Sequence, residues 1–498
     1  MPFNVAYVRR DPDIADGPSA SAPPSSDPPR TNSVQDPEKA EDLGRTKSSL
    51  ANYVVPTLPK GQKTIVKPVG LWTRLRVWYN PYRMLFTAAF VLNIIAIIVA
   101  ATGHWPYADT RSVALALGSI AVAVACRNEF LLRYFLYWPV VRLFQKWTPL
   151  WWRIVLTSLV QHIGGVHSGC AASGVAWLAY SVVRAFQRHA RRHTPAVVLA
   201  WGVVTLVVAV VVMVAAAPRI RHYHHNFFEF HHRFAGWLAV VFIWIFVCIA
   251  DSYDFATGRF HGDAGRLVKM QEFWYTLLVT LFVISPWLTV SKVPVEITIP
   301  SPRVAVIKLH KGIQQGLLGR ISRTRFGEYH GFGIISEGTG SGVHYMIAGV
   351  QGDWTRRLAT DPPSFLYTRE LKFAGLPYLA HLFRRGICIC TGSGIGAVLS
   401  TCAQLDNWFL IWIGSDMEKT FGPVLFEIIY RNIPHDRSIL FDTKKHGVRP
   451  DTMQMLRDVH DTFGAEVVII TSNPQGNAEL MQGCKANGMH AFGPLWDS

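Results

Sequence analysis

Charge is scarce in this sequence: Asp, Glu, Lys and Arg make up 16% of its 498 residues, while 50% are hydrophobic. Mean hydropathy is positive, which a wholly soluble chain of this length rarely reaches, so part of it is expected in lipid. Acids are scarcer still, 33 against 49 Lys and Arg, for a net charge of +16. Much of the basic excess flanks apolar segments, as the positive-inside rule describes, instead of gathering on one polar face. Nucleic acid is therefore set aside as a partner. Cysteine is sparse and odd in number, seven without metal-ligand spacing, which excludes a disulfide-stapled secreted scaffold. Cys388 and Cys390 alternate along an apolar run and read as buried core thiols. The first residues also lack the charged start and apolar run of a secretory leader.

What is present divides into zones. Residues 1–55 are rich in Pro, Ser, Asp and Arg without aliphatic periodicity, the composition of a disordered tail. Residues 56–83 carry Lys60, Lys63, Lys67, Arg74, Arg76 and Arg83 with no acid, like a cytosolic membrane flank. Residues 84–290 form a transmembrane helical domain with six uncharged stretches: 84–103, 113–126, 154–183, 194–218, 234–250 and 273–290. Residues 130–144 are apolar but hold Arg133 and Arg142, which suits an interfacial or re-entrant helix. Six crossings put both termini in the cytosol, at the plasma membrane or an internal one. Arg184, Arg188, Arg191 and Arg192 then face away from it, against the rule's average.

From 291 to 384 short period-two runs (VEITIP, RVAVIKLH, GFGIIS, VHYMIAGV) predict an antiparallel β-barrel. From 385 to 498 apolar strands (GICIC, WFLIWIG, SILFD, EVVIITS) alternate with helical stretches, predicting a doubly wound α/β nucleotide-binding domain. Between GICIC and a helical stretch lies Thr391-Gly392-Ser393-Gly394-Ile395-Gly396. Such glycines let the backbone approach a phosphate at a helix N-terminus, although ordinary loop glycines look the same in isolation. Gly352-Asp353-Trp354-Thr355 reads as a helix start able to hold a pyrophosphate, or as a plain helix cap. His330-Gly331-Phe332-Gly333 places an imidazole and an aromatic where they frame a flat ring or fill the barrel core.

Taken in order, these motifs resemble the flavin and nucleotide half of the ferric reductase and NADPH oxidase superfamily, which is ferredoxin-reductase-like. The resemblance covers roughly residues 80–498 and is most specific at GDWT and at HRFAGW, His232 to Trp237. Within it the chain is most similar to the fungal TmpA-type integral membrane flavoproteins, through TGSGIGAVLS and IWIGSDMEKTFGP. The resemblance implies FAD bordered by His330, Gly331, Phe332, Gly333 and Trp354, its pyrophosphate at Gly352 and Thr355, and Trp496 over its ring. It implies NADPH or NADH at Gly392, Ser393, Gly394, Ile395 and Gly396, with Ser415, Asp416, Arg449, Thr471 and Asn473 nearby. Gly331 and Gly333 stand where that family has proline and a hydroxyl residue, and Thr471-Ser472-Asn473-Pro474 where it has Cys-Gly-Pro. Asp416 favours a ribose 2′-hydroxyl over a 2′-phosphate.

The superfamily's two haems each need paired histidines on the third and fifth spans. His162, His167 and His232 are here, but Val175, Ala176, Tyr180, Ser181, Ile245 and Phe246 occupy the outer-ligand places. One inner haem, no redox metal and another metal stay open. The expected function is a membrane-bound flavin-dependent oxidoreductase that passes electrons from NAD(P)H through FAD to an acceptor the sequence does not identify. A transmembrane ferric reductase or superoxide-forming oxidase, and a non-catalytic signalling protein with a degenerate reductase domain, are the alternatives.

Overall fold

The computed structural model describes Leu50 and residues 52–59, 70–191, 194–254 and 257–494. The longer helices of the first half are α1 (Pro81–Ala101), α2 (Ser112–Ala125), α3 (Leu150–Gln161), α4 (Gly164–Ala190), α5 (Ala196–Ala215), α6 (His225–Ser252) and α7 (Gln271–Leu288). Four of them, α1, α4, α5 and α6, are long and apolar enough to cross a membrane. The pair α2 and Glu129–Leu143, bent by 64°, makes a fifth if counted as one broken span. At 14 residues α2 alone falls short of the roughly 20 that a crossing needs. The six apolar stretches are thus all helical, but length and composition alone support four or five crossings.

The stretch 154–183, expected as one span, is broken at His162–Ile163. Its second part, α4, packs through small residues. A Cβ on Gly165 would lie 2.2 Å from the Tyr82 carbonyl oxygen, and one on Gly169 2.7 Å from that of Phe86. On its other side, a Cβ on Gly174 would lie 2.7 Å from Ile120. Such close backbone approach through small residues is what seats α4 between α1 and α2.

The first part, α3, turns out of the bundle onto the soluble domains. Arg153, with a side chain 3% exposed, makes a bidentate pair with Glu466 at 2.7 and 3.0 Å. It also donates to the carbonyls of Leu382 at 2.9 Å and Thr148 at 3.1 Å. A second buried carboxylate, Glu129, accepts from Arg320 and, at 3.1 Å, from Arg369. Arg133 donates to the Lys372 carbonyl at 2.9 Å. Residues 129–143 and α3 therefore hold the two soluble layers against the helices.

The first soluble layer is an eight-stranded antiparallel sheet: β1 (Val290–Pro294), β2 (Glu296–Ser301), β3 (Val304–His310), β4 (Leu317–Ser322), β5 (His330–Ile335), β6 (Val343–Gly349), β7 (Phe365–Arg369) and β8 (Phe373–Ala374). Its order is β1-β7-β4-β5-β6-β3-β2, with β8 on β4. The end strands β1 and β2 do not pair with each other, so this is a half-barrel and not a closed barrel. An eight-residue helix, α8 (Asp353–Thr360), follows β6. The second layer is a parallel sheet of β9 (Gly386–Thr391), β10 (Trp408–Gly414), β11 (Ser438–Asp442), β12 (Val467–Thr471) and β13 (Ala491–Phe492), in the order β11-β10-β9-β12-β13. Its helices include α9 (Ile395–Gln404), α10 (Pro423–Asn432), α11 (Thr452–Phe463) and α12 (Pro474–Ala486). Strand order reverses beside β9, so a crevice opens at the carboxyl ends of β9 and β12, where ligands of such sheets bind. Cys388 and Cys390 are fully buried in β9.

The tail expected through residue 55 stops short of that. Leu50 is buried in the core of the parallel layer, with Tyr53 and Val55 packed on it. The Tyr53 hydroxyl donates to Asp458 at 2.6 Å, Leu58 N–H to the Arg449 carbonyl at 2.9 Å, and Asp451 N–H to the Pro56 carbonyl at 2.7 Å. A few well-placed apolar side chains inside a polar composition are enough to tie it down. Trp496, in residues 495–498, lies outside the described residues.

Gly165→Val should cost about 3 kcal/mol or more, seen as a lower melting temperature in detergent, because backbone faces the new side chain. Gly236→Ala, on α6 with nothing within 4 Å of its Cβ, should leave that temperature unchanged or raise it.

Candidate functional site

The glycine loop falls at the strand-order reversal, but its residues divide between two tasks. Gly392 has φ +53 and open space where a Cβ would stand, so its bare backbone faces the crevice. Its carbonyl accepts from the Trp412 indole at 3.0 Å, a fixing contact that no motif announces. Gly394 abuts β12: a Cβ there would lie 2.3 Å from the Thr471 carbonyl oxygen. The Thr391 and Ser472 hydroxyls meet across the crevice at 2.7 Å. Ile395, by contrast, is fully buried, and the Cβ position of Gly396 faces Ile347 of β6 at 3.5 Å. Ser393 Oγ lies 3.1 Å from the Cβ position of Gly349. The loop's second half thus serves the contact between the two sheets, not the crevice.

Gly333 belongs to that contact too. A Cβ on it would sit 2.3 Å from the Gly396 carbonyl oxygen, so α9 lies directly on β5. Glycine at this position is what that approach requires. Gly331 faces the Phe373 ring. The remaining residues of the two flavin-type motifs do come together. The His330 and Trp354 rings lie 4.4 Å apart, and Phe332 and Trp354 6.0 Å apart. The Thr355 hydroxyl accepts from Gly352 N–H at 3.2 Å and Gln351 N–H at 3.1 Å, closing the first turn of α8 around an open Gly352. Asp353 in that turn pairs with Arg356 at 3.0 Å.

At the outer end of the crevice, Ser415 is exposed and Asp416 is left-handed with φ +52, paired with Lys444 at 2.6 Å. Asp442, at the end of β11, accepts N–H bonds from Asp416, Met417, Lys444 and Lys445 at 2.8 to 3.2 Å. Sequence reasoning missed it, since its partners come from two separate turns. Burial pushes its carboxyl up, but those four N–H donors outweigh burial and hold it below the ordinary carboxylate range. Arg449 is exposed, and its main chain is held by Leu58. Asn473 spends its side-chain oxygen on the Gly476 N–H at 2.7 Å, capping α12.

The chemistry of these donors fits a dinucleotide: free backbone at a strand-to-helix turn, hydroxyls in the crevice, and an acid after the second strand. The α8 turn and the aromatic trio fit a flavin's pyrophosphate and ring. The three histidines do not converge. His162 caps α3 with Nδ1 on the Ser158 carbonyl at 2.6 Å, beside the soluble layer. His167 and His232 turn Nδ1 toward the carbonyls of Ala123 at 2.8 Å and Val212 at 3.3 Å. That leaves Nε2 on each, the usual arrangement of a histidine that ligates a metal. No group of three or more His, Cys, Asp or Glu suited to a metal ion occurs among the described residues.

Residues 376–498 match the family of the C-terminal domain of adenylate-forming reductase 03009. Over 427 residues, 84% of this chain, the sequence is 28% identical to adenylate-forming reductase 06235 of Coprinopsis cinerea. Over 425 residues it is 29% identical to adenylate-forming reductase 03009 of the same fungus. In both cases the chain spans 40% of the relative's length. Among solved structures, phthalate dioxygenase reductase is similar over 41% of this chain and 68% of its own, with TM-score 0.33 and 9% identity. Full-length CYP116B46 from Tepidiphilus thermophilus is similar over 91% and 77%, with TM-score 0.36 and 9% identity.

Two outcomes check this geometry. Gly333→Ser should destabilise the protein by about 1–3 kcal/mol because its side chain collides with α9. Asp442 has a depressed folded pKa, so its contribution is present above its unfolded value of about 4 and is lost as pH falls through the folded one. Protection of the amides at residues 416–417 and 444–445, relative to their intrinsic exchange, should therefore fall below about pH 4, and Asp442→Asn should abolish that pH dependence.

Proposed function

We propose that this protein is a membrane-bound flavoprotein oxidoreductase that takes reducing equivalents from NADH or NADPH and passes them through FAD to an acceptor still to be identified. The observation that carries this reading is the seating of the glycine-loop helix on the antiparallel sheet, Gly333 against Gly396, which sets the crevice beside the aromatic trio. The relatives named as reductases support it. In this reading Gly392, at the turn into α9, holds the dinucleotide phosphates, where the helix N-terminus favours negative charge. Asp416 takes the ribose hydroxyls, and Lys444 moderates its charge. The first turn of α8 holds the flavin pyrophosphate, and His330, Phe332 and Trp354 border the ring. When bound, FAD would accept hydride from the nicotinamide and release electrons singly.

For the membrane part we assign six crossings with both described ends on the cytosolic side. Residues 50–59, ahead of α1, share a core with the domain that follows α7, which supports an even number of crossings between them. Six is reached by counting α2 and α7 with the four longer helices. His167 and His232 are the pair we assign to a single inner haem, which would carry one electron at a time, while His162 belongs to the soluble contact. Two observations favour a second reading, a reductase domain without turnover. Trp354 lies against His330, on the ring-binding side, and Asp353 sets a carboxylate in the turn meant for a pyrophosphate.

The absorption spectrum of the detergent-purified protein separates these. Flavin bands that bleach on adding NADPH or NADH are expected, and a Soret band lost in His167→Ala and His232→Ala. A protein that takes up no flavin on reconstitution and oxidises neither nucleotide would replace the first reading by the second.

A further inference from the structure

Where α6 begins and α7 ends, aromatic rings stand in the open. α6 has 28 residues and is about 42 Å long, against about 30 Å for the hydrocarbon of a bilayer. Its apolar stretch starts at 234, so the surplus lies in residues 225–233. Phe227, Phe230 and Phe234 share one face of these first turns and all are exposed, Phe230 by 54%. Tyr223, just ahead of them, is 74% exposed. The loop between β4 and β5 lies at the same height. Arg233 donates to the Gly327 carbonyl at 2.8 Å. Trp287, the penultimate residue of α7, lies 6.0 Å from Phe326 and 5.7 Å from Tyr329. The Tyr329 hydroxyl in turn donates to the Arg325 carbonyl at 2.9 Å. The main chain is thus clamped on both sides of Phe326, yet that ring is 65% exposed. An apolar ring held out by two hydrogen bonds, level with the ends of two apolar stretches, suits a lipid interface and not water.

The charge around these rings is of one sign. Arg219 and Arg221, in the short helix Pro218–Tyr223 ahead of α6, make no ion pair among the described residues, and neither does Arg325. Arg127, just past α2, has none either, and it lies within electrostatic reach of Arg221. The acids of the same segments are turned to histidines: Glu229 lies 4.0 Å from His225, and Glu328 lies 3.4 Å from His330. Arginines gathered without carboxylates, beside exposed rings, are complementary to an anionic surface.

We propose that the β4–β5 loop and the start of α6 dock on anionic phospholipid head groups, with Phe326, Tyr223, Phe227 and Phe230 entering the interface and Arg325, Arg219 and Arg221 meeting the phosphates. The proposal rests on the reading of the chain as membrane-bound and adds which lipid class the leaflet beside the two sheets supplies. The rings select a lipid over free phosphate, since an inorganic anion gives them nothing to enter. Lipid contact also reaches the flavin-type site along the chain: Tyr329 clamps the loop, and the residue after it is His330.

The test is hydrogen exchange of the full chain in two kinds of nanodisc, phosphatidylcholine alone and phosphatidylcholine mixed with phosphatidylserine. Amides of residues 323–328 should exchange about fivefold more slowly in the phosphatidylserine discs, the weight of one interfacial cation, and high salt should reduce the difference. Arg325→Gln and Phe326→Ser, both at exposed side chains, should each remove most of that slowing. Arg219→Gln combined with Arg221→Gln should do the same for residues 218–230. Amides of residues 443–446, on the parallel layer, should not respond to the lipid. Equal exchange in the two lipids, a slowing that the variants keep, or one that inorganic phosphate reproduces in phosphatidylcholine discs overturns the proposal and leaves the membrane reading standing. A chain that enters neither kind of disc overturns both.

Discussion

The ion pair between Arg153 and Glu466 fixes where everything else can be. An arginine with a side chain 3% exposed leaves α3, in the helical half of the chain, and meets a carboxylate at the foot of the parallel sheet. Taking two charges out of water is expensive, and the cost is offset only where geometry and further hydrogen bonds are good. Here the pair is bidentate, Glu466 also accepts from the Arg384 N–H at 2.7 Å, and Arg153 donates to two carbonyls. Burial pushes the Glu466 carboxyl up, but these donors outweigh it and hold it below its ordinary range. Glu129 does for the antiparallel layer what Arg153 does for the parallel one, through Arg320 and Arg369. Both soluble layers are thereby registered to the same stretch of chain, residues 129–161, and through it to each other.

Much of this architecture was legible in the sequence. GICIC, WFLIWIG, SILFD and EVVIITS became β9 to β12 nearly residue for residue, because a parallel strand buried on both faces needs an unbroken apolar run. VEITIP, RVAVIKLH and VHYMIAGV became β2, β3 and β6. Strands with mixed composition, such as LLGRIS in β4, and two-residue strands such as β13 carry too weak a period to be read. The break at His162 was hidden for a different reason. Apolar composition on both sides looks like one span, and only the partner of Arg153, 313 residues further on, shows that α3 faces protein and not lipid.

The place of the glycine loop between strand and helix was legible, and the task of each of its residues was less so. The glycine loop lies where the strand–turn–helix context placed it. Which glycines face a ligand and which admit a neighbouring backbone is a matter of three-dimensional approach. Gly392 is open and left-handed, whereas Gly333, Gly394 and Gly396 serve packing against Gly396, Thr471 and Ile347 respectively. Gly333, a departure from the family motif when read along the sequence, is what lets α9 lie on β5. Asp442 and Tyr53 were invisible because each gains its role from partners distant in sequence.

A double-mutant cycle between Arg153 and Glu466, read as thermal unfolding of the detergent-solubilised full chain, tests most directly whether the two sheet layers depend on α3. Arg153→Met and Glu466→Gln should each destabilise strongly, by about 3–5 kcal/mol, since each leaves a buried charge alone. The double variant should then be no worse than either single one. Single losses near zero, or losses that simply add in the double variant, would contradict the account.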